Sequence, residues 1–285
     1  MTAAAQLPLS VTAAVLGAAL LHAAWNAMIK GSSDKLLDTA LVVAGSTAVV
    51  VPFLPLVALP EPASWPFIAA SVAIHIGYYF ALVGIYRAGD LSHGYPLMRG
   101  VAPLLVAAFG VAALGEMPGA WMWAGIVLIS AGVIGISFSS TRALLHNGRA
   151  TAWALANAAI IAAYTLVDGT GARLAGGVER YAVWMFFFDG FPFCVYVAWA
   201  RRGDFARYAG RFWLRGLVAG AFSVAAYGIV LWAMTRAPIA AIASLRETSV
   251  IFAALLGKWL LREPFGARRL AGALCVAAGV IALKG

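Results

Sequence analysis

Apolar runs about twenty residues long follow one another along almost the whole of this 285-residue chain, and that succession decides what it can fold into. An α-helix rises about 1.5 Å per residue, so about twenty apolar residues match about 30 Å of bilayer hydrocarbon. Ten such runs lie near 8–29, 36–59, 66–86, 94–114, 119–139, 150–168, 181–200, 213–235, 238–261 and 267–284. Composition agrees: 63% of the residues are hydrophobic, 11% are charged, and mean hydropathy is +0.90. A soluble domain carries about 25% charged residues, so there is too little polar surface here to coat a water-soluble globule. The expected fold class is an all-α polytopic membrane protein with ten transmembrane helices. The connections are short, and no soluble catalytic domain fits within them.

The first run has no basic residue before it and is longer than a secretory apolar core, so it reads as a retained helix. Cys194 and Cys275 stand alone inside spans seven and ten, as small buried residues do. The formal charge of +9 resembles a nucleic-acid signal until it is laid on the spans. Counting residues at the span edges, such as Arg215, Lys258, Arg268 and Arg269, connections after odd-numbered spans hold 14 Lys and Arg, those after even-numbered spans with the tail hold 4, and the remaining two of the 20 are Arg99 and Arg246. Basic residues gather on the cytoplasmic side, so the odd loops are expected in the cytoplasm and both termini outside. Nucleic acid is not an expected partner; the lipid bilayer is.

Residues 99–134 align with 246–281 without a gap, and 13 of the 36 positions are identical. The matches include Arg99/Arg246, Glu116/Glu263, Gly110/Gly257, Gly125/Gly272 and Gly132/Gly279. Spans four and five therefore resemble spans nine and ten, which divides the chain into 1–141 and 142–285. Five spans per half is an odd number, so the second half enters the membrane inverted. Two inverted five-helix repeats are the construction of secondary transporters, with the site near the midplane between halves. A duplicated, non-transporting membrane scaffold is the alternative that this pattern leaves open.

The polar residues inside the spans are the candidate site. Arg99 enters span four about 8 Å from its end, from where a guanidinium can also snorkel to the headgroups. Arg246 lies about 12 Å into span nine, where a charge costs about 2.5–3.5 kcal/mol on insertion scales. Its compensation comes either from Asp168 or Asp189 across the bundle or from an anionic solute gripped by guanidinium. Glu247 is adjacent, but neighbouring helix positions point about 100° apart and make poor partners. His22, Trp25 and Asn26 share one face of span one. His75 and Tyr79 share one in span three, and Ser223 with Tyr227 repeats that spacing in span eight. Tyr95 precedes Arg99 by one turn, and Tyr164, Thr165 and Asp168 cluster in span six. Taken singly, each also suits a packed core or interfacial position. Together, Arg99, Arg246, Trp25, Asn26, His75, Tyr79, Tyr95, Tyr164 and Tyr227 would line a polar, aromatic chamber. Small residues such as Gly125, Gly132, Gly272 and Gly279 would let helices approach closely, and Pro103 and Pro192 would kink spans four and seven.

The stretches AAWNAMIK (23–30), YRAGDLSHGYPLMRGVAPLL (86–105), LGE (114–116) and TRAPIAAIASLRETSVIFAALLGKWLLRE (235–263) resemble the drug/metabolite transporter superfamily, specifically carriers with two EamA-type domains. The resemblance covers nearly the whole chain. It implies ten helices in two inverted halves around a central cavity, and movement of small metabolites by alternating access. Relatives usually keep both termini in the cytoplasm, opposite to the charge count here. Similar proteins carry amino acids, nucleotide sugars, sugar phosphates, lipid-linked sugars or drugs, and one similar subgroup is linked with phosphonate utilisation.

No nucleotide cradle of the GxxxxGKS type appears, which leaves facilitated diffusion, exchange or ion coupling. Glu247, Asp168, Asp189 and the two histidines, His22 and His75, could carry a proton. Glu247 and Asp168 are the leading proton-coupling candidates, Glu247 first because it stands beside a candidate substrate-binding arginine. No catalytic Ser/His, HExxH or paired-carboxylate spacing is present, so an intramembrane enzyme is not expected, nor are a cofactor or metal. The expected function is a secondary transporter of a small polar or anionic metabolite in a bacterial inner membrane. A flippase for a lipid-linked sugar is the alternative within transport. Oligomeric state is left open.

Overall fold

The computed structural model describes residues 7–30, 34–88, 91–137, 148–261 and 266–284, and all regular secondary structure among them is helical. Eleven α-helices follow in order: α1 Leu9–Lys30, α2 Lys35–Val50, α3 Trp65–Ala88, α4 Leu91–Leu114, α5 Ala120–Ser137, α6 Gly148–Leu174, α7 Val178–Ala200, α8 Asp204–Met234, α9 Ile239–Arg246, α10 Ser249–Leu261 and α11 Ala267–Ala282. Seven stretches of the described residues are long and apolar enough to cross a membrane. The chain is a polytopic, all-α membrane protein. Glu263, together with Arg142 and Arg262 of the charge count, lies outside the described residues.

Three helices depart from the expected spans. The run 36–59 is α-helical only to Val50 and continues as a 3₁₀ turn, Val51–Phe53. Pro52 and Pro55 lack the N–H that an α-helix needs and disfavour helical backbone before them. Helix α8 starts well before residue 213, at Asp204, and bends at Phe212 (φ −118°, ψ 19°). The segment before the bend carries Arg207 and Arg211, the segment after it the apolar span. Span nine is two helices. Between α9 and α10 the backbone tightens to i→i+3 bonds: Glu247 N donates to Ser244 O (3.0 Å), Thr248 N to Leu245 O (3.1 Å), Val250 N to Glu247 O (3.0 Å) and Ile251 N to Thr248 O (2.9 Å). Short 3₁₀ insertions inside a helix are common at functional hinges. Pro103 and Pro192 lie within α4 and α7, which continue through them.

Missing side chains set the closest helix crossings. A Cβ on Gly125 would lie 2.8 Å from Gly279 O, and one on Gly132 would lie 2.7 Å from Gly272 O. The reverse also holds: Gly279 meets Gly125 O at 2.8 Å and Gly272 meets Gly132 O at 2.9 Å. Helices α5 and α11 thus cross at backbone contact, as small residues allow in membrane bundles. The crossing of α2 with α8 uses Gly45, Gly216 and Gly220 in the same way. Helix α6 packs on α3 and α4, and α1 packs on α8 and α10. Helix α9 sits inside this bundle, with every residue from Ile239 to Arg246 buried. Apolar residues of α1, α4 and α5 (Val15, Val106 and Ile126) belong to the same core as Ile239–Ala243 and Leu245.

Candidate functional site

Helix α9 owes its position to a latch at its N-terminus. Its first N–H groups have no intrahelical acceptor, and Pro238 offers no side-chain cap. Glu116, in the α4–α5 connection, supplies one instead: Ile239 N donates to Glu116 Oε2 at 2.9 Å. A carboxylate there is also favoured by the helix dipole. Arg173 of α6 pairs with Glu116 Oε1 at 2.9 Å. The same guanidinium donates to Met234 O (2.9 Å) and Ala237 O (3.0 Å), carbonyls at the end of α8 and beyond it. One ion pair therefore fixes α4, α6, α8 and α9 at a common end of the bundle.

The other end of α9 carries the charges. Arg99 Nε of α4 lies 2.7 Å from Glu247 Oε2, and Arg246 Nε lies 3.5 Å from Glu247 Oε1. Arg99 is 5% exposed, Arg246 4% and Glu247 0%. Neither guanidinium N–H points along these lines, so neither Nε nor either carboxylate oxygen makes a directed hydrogen bond. The contacts are charge pairing, with the hydrogen-bond part of a good salt bridge missing. Arg99 Nη2 also meets Ser249 Oγ and His22 Nε2, each at 3.3 Å. Arg246 places its guanidinium 5.9 Å from the Tyr164 ring centroid, within cation–π range.

Two expectations are corrected by this geometry. Arg99 does not snorkel to the headgroups; it is enclosed in the bundle. Glu247 is no poor partner for its neighbour, because the 100° separation that argues against it belongs to a continuous α-helix. Here the chain leaves α-helical geometry after Arg246, and the carboxylate reaches between both guanidiniums. Asp168 and Asp189, the acids considered for Arg246, are engaged elsewhere. Asp168 of α6 accepts hydrogen bonds from Tyr181 OH (2.9 Å) and Tyr227 OH (2.5 Å). Asp189 of α7 accepts one from Tyr79 OH at 3.2 Å and lies 3.7 Å from His75 Nδ1.

The remaining residues form a connected aromatic set. His75 stacks on Tyr164 (centroids 4.6 Å apart), and Tyr227 and Tyr78 meet Tyr164 edge-on. Tyr95 packs against the same apolar cluster as Tyr164. Trp25 and Asn26 join at second hand: Asn26 Nδ2 donates to His22 O (2.8 Å), and Trp25 stands edge-on to the His22 ring. Ser249, Ser71, Tyr78 and Tyr181 were not singled out by sequence. Ser71 had a usable signal, one turn before His75, whose Nδ1 lies 3.0 Å from Ser71 O.

The chemical sum of the arginine cluster is two cations around one carboxylate, enclosed in apolar helices and bordered by aromatic rings. No group of three or more His, Cys, Asp or Glu able to hold a metal ion occurs among the described residues. Residues 148–284 match the EamA-like transporter family. A solved crystal structure superposes on the chain with a TM-score of 0.72 at 18% sequence identity, over 96% of this chain and 97% of that one. At that identity the likeness is one of fold. No curated protein matches the sequence.

Proposed function

We propose that this chain, whose residues 148–284 match the EamA-like transporter family, is a secondary carrier whose solute is a small anion held by Arg246. Membrane transport is the family's function; the solute class is our reading. One observation carries it: Arg99 and Arg246 share a single carboxylate, Glu247, and leave one buried positive charge over. Arg99 is the more fully engaged, through Glu247, Ser249 and His22. Among the described residues, Arg246 has the longer contact to Glu247 and the face of Tyr164. A carboxylate, phosphate or phosphonate is the group that a guanidinium grips in two-pronged fashion. Tyr164 borders it, with His75 and Tyr227 packed on that ring. Tyr95 lies in the same apolar cluster, Trp25 and Asn26 stand behind His22, Tyr79 stands with Asp189, and Glu247 serves as the counter-charge.

The two-halves reading, 1–141 and 142–285, is supported by the α5–α11 crossing. Sequence alignment pairs Gly125 with Gly272 and Gly132 with Gly279. The contacts run Gly125–Gly279 and Gly132–Gly272, so the exchange of halves carries one contact onto the other. Cys275 Sγ donates to Leu128 O at 3.3 Å, and those two positions are also equivalent in the alignment. Inverted halves suit alternating access in a bacterial inner membrane, and the charge count orients the odd-numbered loops to the cytoplasm.

Thermal unfolding of the purified protein with inorganic phosphate, methylphosphonate, a neutral sugar and a quaternary amine tests this. Binding to the folded state alone stabilises it by about 2.7 kcal/mol at a hundredfold excess over Kd. The expected result is stabilisation by an anion, absent in a folded Arg246→Gln variant. Stabilisation by the amine or sugar, retained in that variant, would overturn the reading.

A further inference from the structure

Asp189 lies near the middle of α7, and among the described residues no arginine or lysine pairs with it. It is 9% exposed, and its Oδ1 is buried without a hydrogen bond. From α3 it is faced by Tyr79, which donates to Oδ2, and by His75, 3.7 Å from Oδ1. From α6, Tyr164 stacks on that His75, and Asp168 acts on Asp189 as a like charge. Helix α8 presents Tyr227 against Phe186, one turn before Asp189. Helix α2 presents Thr47 beside Gly190, with its hydroxyl turned to backbone carbonyls. Cys194 follows on α7 itself. Arginine and lysine are absent from this set among the described residues.

Charge counting points to the same residue. Apart from Asp38, which has Arg215, the buried charged residues described are Arg99, Arg246, Glu247, Asp168 and Asp189. Both arginines lie on Glu247, which leaves Asp168 and Asp189 as the two buried acids of this set without one. Asp168 has two tyrosine hydroxyls. Asp189 has one hydroxyl and a bare oxygen. Burying a carboxylate without a counter-ion is costly, and intramembrane acids of this kind mark proton relays.

We infer that Asp189 is a second ligand-binding group of the carrier, distinct from the arginine cluster, and that its ligand is a proton. The proton adds to Oδ1, while Tyr79 continues to donate to Oδ2. On release it returns to water, and no other bond changes. His75 is a positioning residue, anchored by Ser71 and stacked on Tyr164, the ring that Arg246 also covers. Two ring contacts therefore join the proton group to the arginine cluster. The inference rests on the transporter reading only for the need of a driving ion.

Infrared difference spectra between acidic and alkaline buffer, on the full-length protein in lipid vesicles with no added solute, test it. A protonated-carboxyl band is expected in the wild type, lost in Asp189→Asn and kept in Asp168→Asn. Thermal unfolding checks that the variants fold. Should Asp189→Asn not fold, Tyr79→Phe serves instead: removing the hydrogen bond to Oδ2 shifts the band. A band that persists in folded Asp189→Asn, or is unmoved in Tyr79→Phe, overturns the assignment. So does stabilisation of the wild type by sodium chloride over choline chloride in alkaline buffer, lost in Asp189→Asn, since the ligand is then a metal cation. Because no candidate solute is added and the band is assigned by Asp189→Asn, these spectra answer independently of whether Arg246 binds an anion.

Discussion

Two buried carboxylates of this protein face arginine in opposite ways. Asp38, 1% exposed, accepts Arg215 Nη2 at 2.9 Å on one oxygen and Tyr208 OH at 2.7 Å on the other. Arg215 also donates to Met28 O. Glu247 has two arginines within 2.7 and 3.5 Å, and neither of its oxygens accepts a directed hydrogen bond. The first site balances charge and satisfies polar atoms, as a pair built to hold helices together should. The second is one positive charge out of balance and short of hydrogen bonds. Helices α1, α2 and α8 are joined by the first; α4 and the 3₁₀ turn between α9 and α10 meet at the second. A buried site short of hydrogen bonds and of negative charge gains from a further anionic partner, and that is the physical content of the anion reading.

Breaking the balanced pair should have the largest effect. Arg215→Met leaves Asp38 buried with only a tyrosine, and stability should fall by about 3–5 kcal/mol, or toward the lower figure because Arg215 is partly exposed; thermal unfolding in detergent reads this directly. Glu247→Gln should come next, at about 3 kcal/mol, since two buried guanidiniums then face each other without a counter-charge. Phosphate in the buffer should restore part of that loss, and no restoration would mean that the arginines are closed to anions. Arg99→Gln should cost less, about 1–2 kcal/mol, because it removes contacts to Ser249 and His22 yet brings the cluster to charge balance. The smallest change in stability, under about 1 kcal/mol, is expected for Arg246→Gln, whose guanidinium makes the fewest contacts. If Arg246→Gln instead destabilises as much as Arg215→Met, the contrast between the two sites fails.

Much of this was legible in the sequence, and what was not has physical reasons. Charges inside apolar runs stand out, so Arg99, Arg246, Glu247 and Asp168 could be named directly. The glycines of the α5–α11 crossing were legible because the internal alignment covers them. Gly45, Gly216 and Gly220 lie outside that alignment, and a glycine in an apolar run has no mark of its own. Arg215 was counted among loop charges, because span edges cannot be fixed to within a turn by hydropathy. The reach of Glu247 depends on i→i+3 bonds after Arg246, and nothing in ASLRETSVI distinguishes a 3₁₀ turn from a continuous helix. The hydrogen-bond partners of Asp168 and Asp189 come from other helices, 13 to 110 residues away, and only packing brings them together.

The four glycines of the α5–α11 crossing bear on how this protein can change over generations. Each missing Cβ faces the partner helix's carbonyl oxygen, so a methyl group on any one pushes the same two backbones apart. A substitution on one helix cannot be answered by trimming the other, since glycine has nothing left to trim. The usual route of mutual adjustment between neighbouring positions is closed there. Sequence drift should therefore pass around this crossing, leaving the four positions fixed while the lipid-facing sides of the same helices vary.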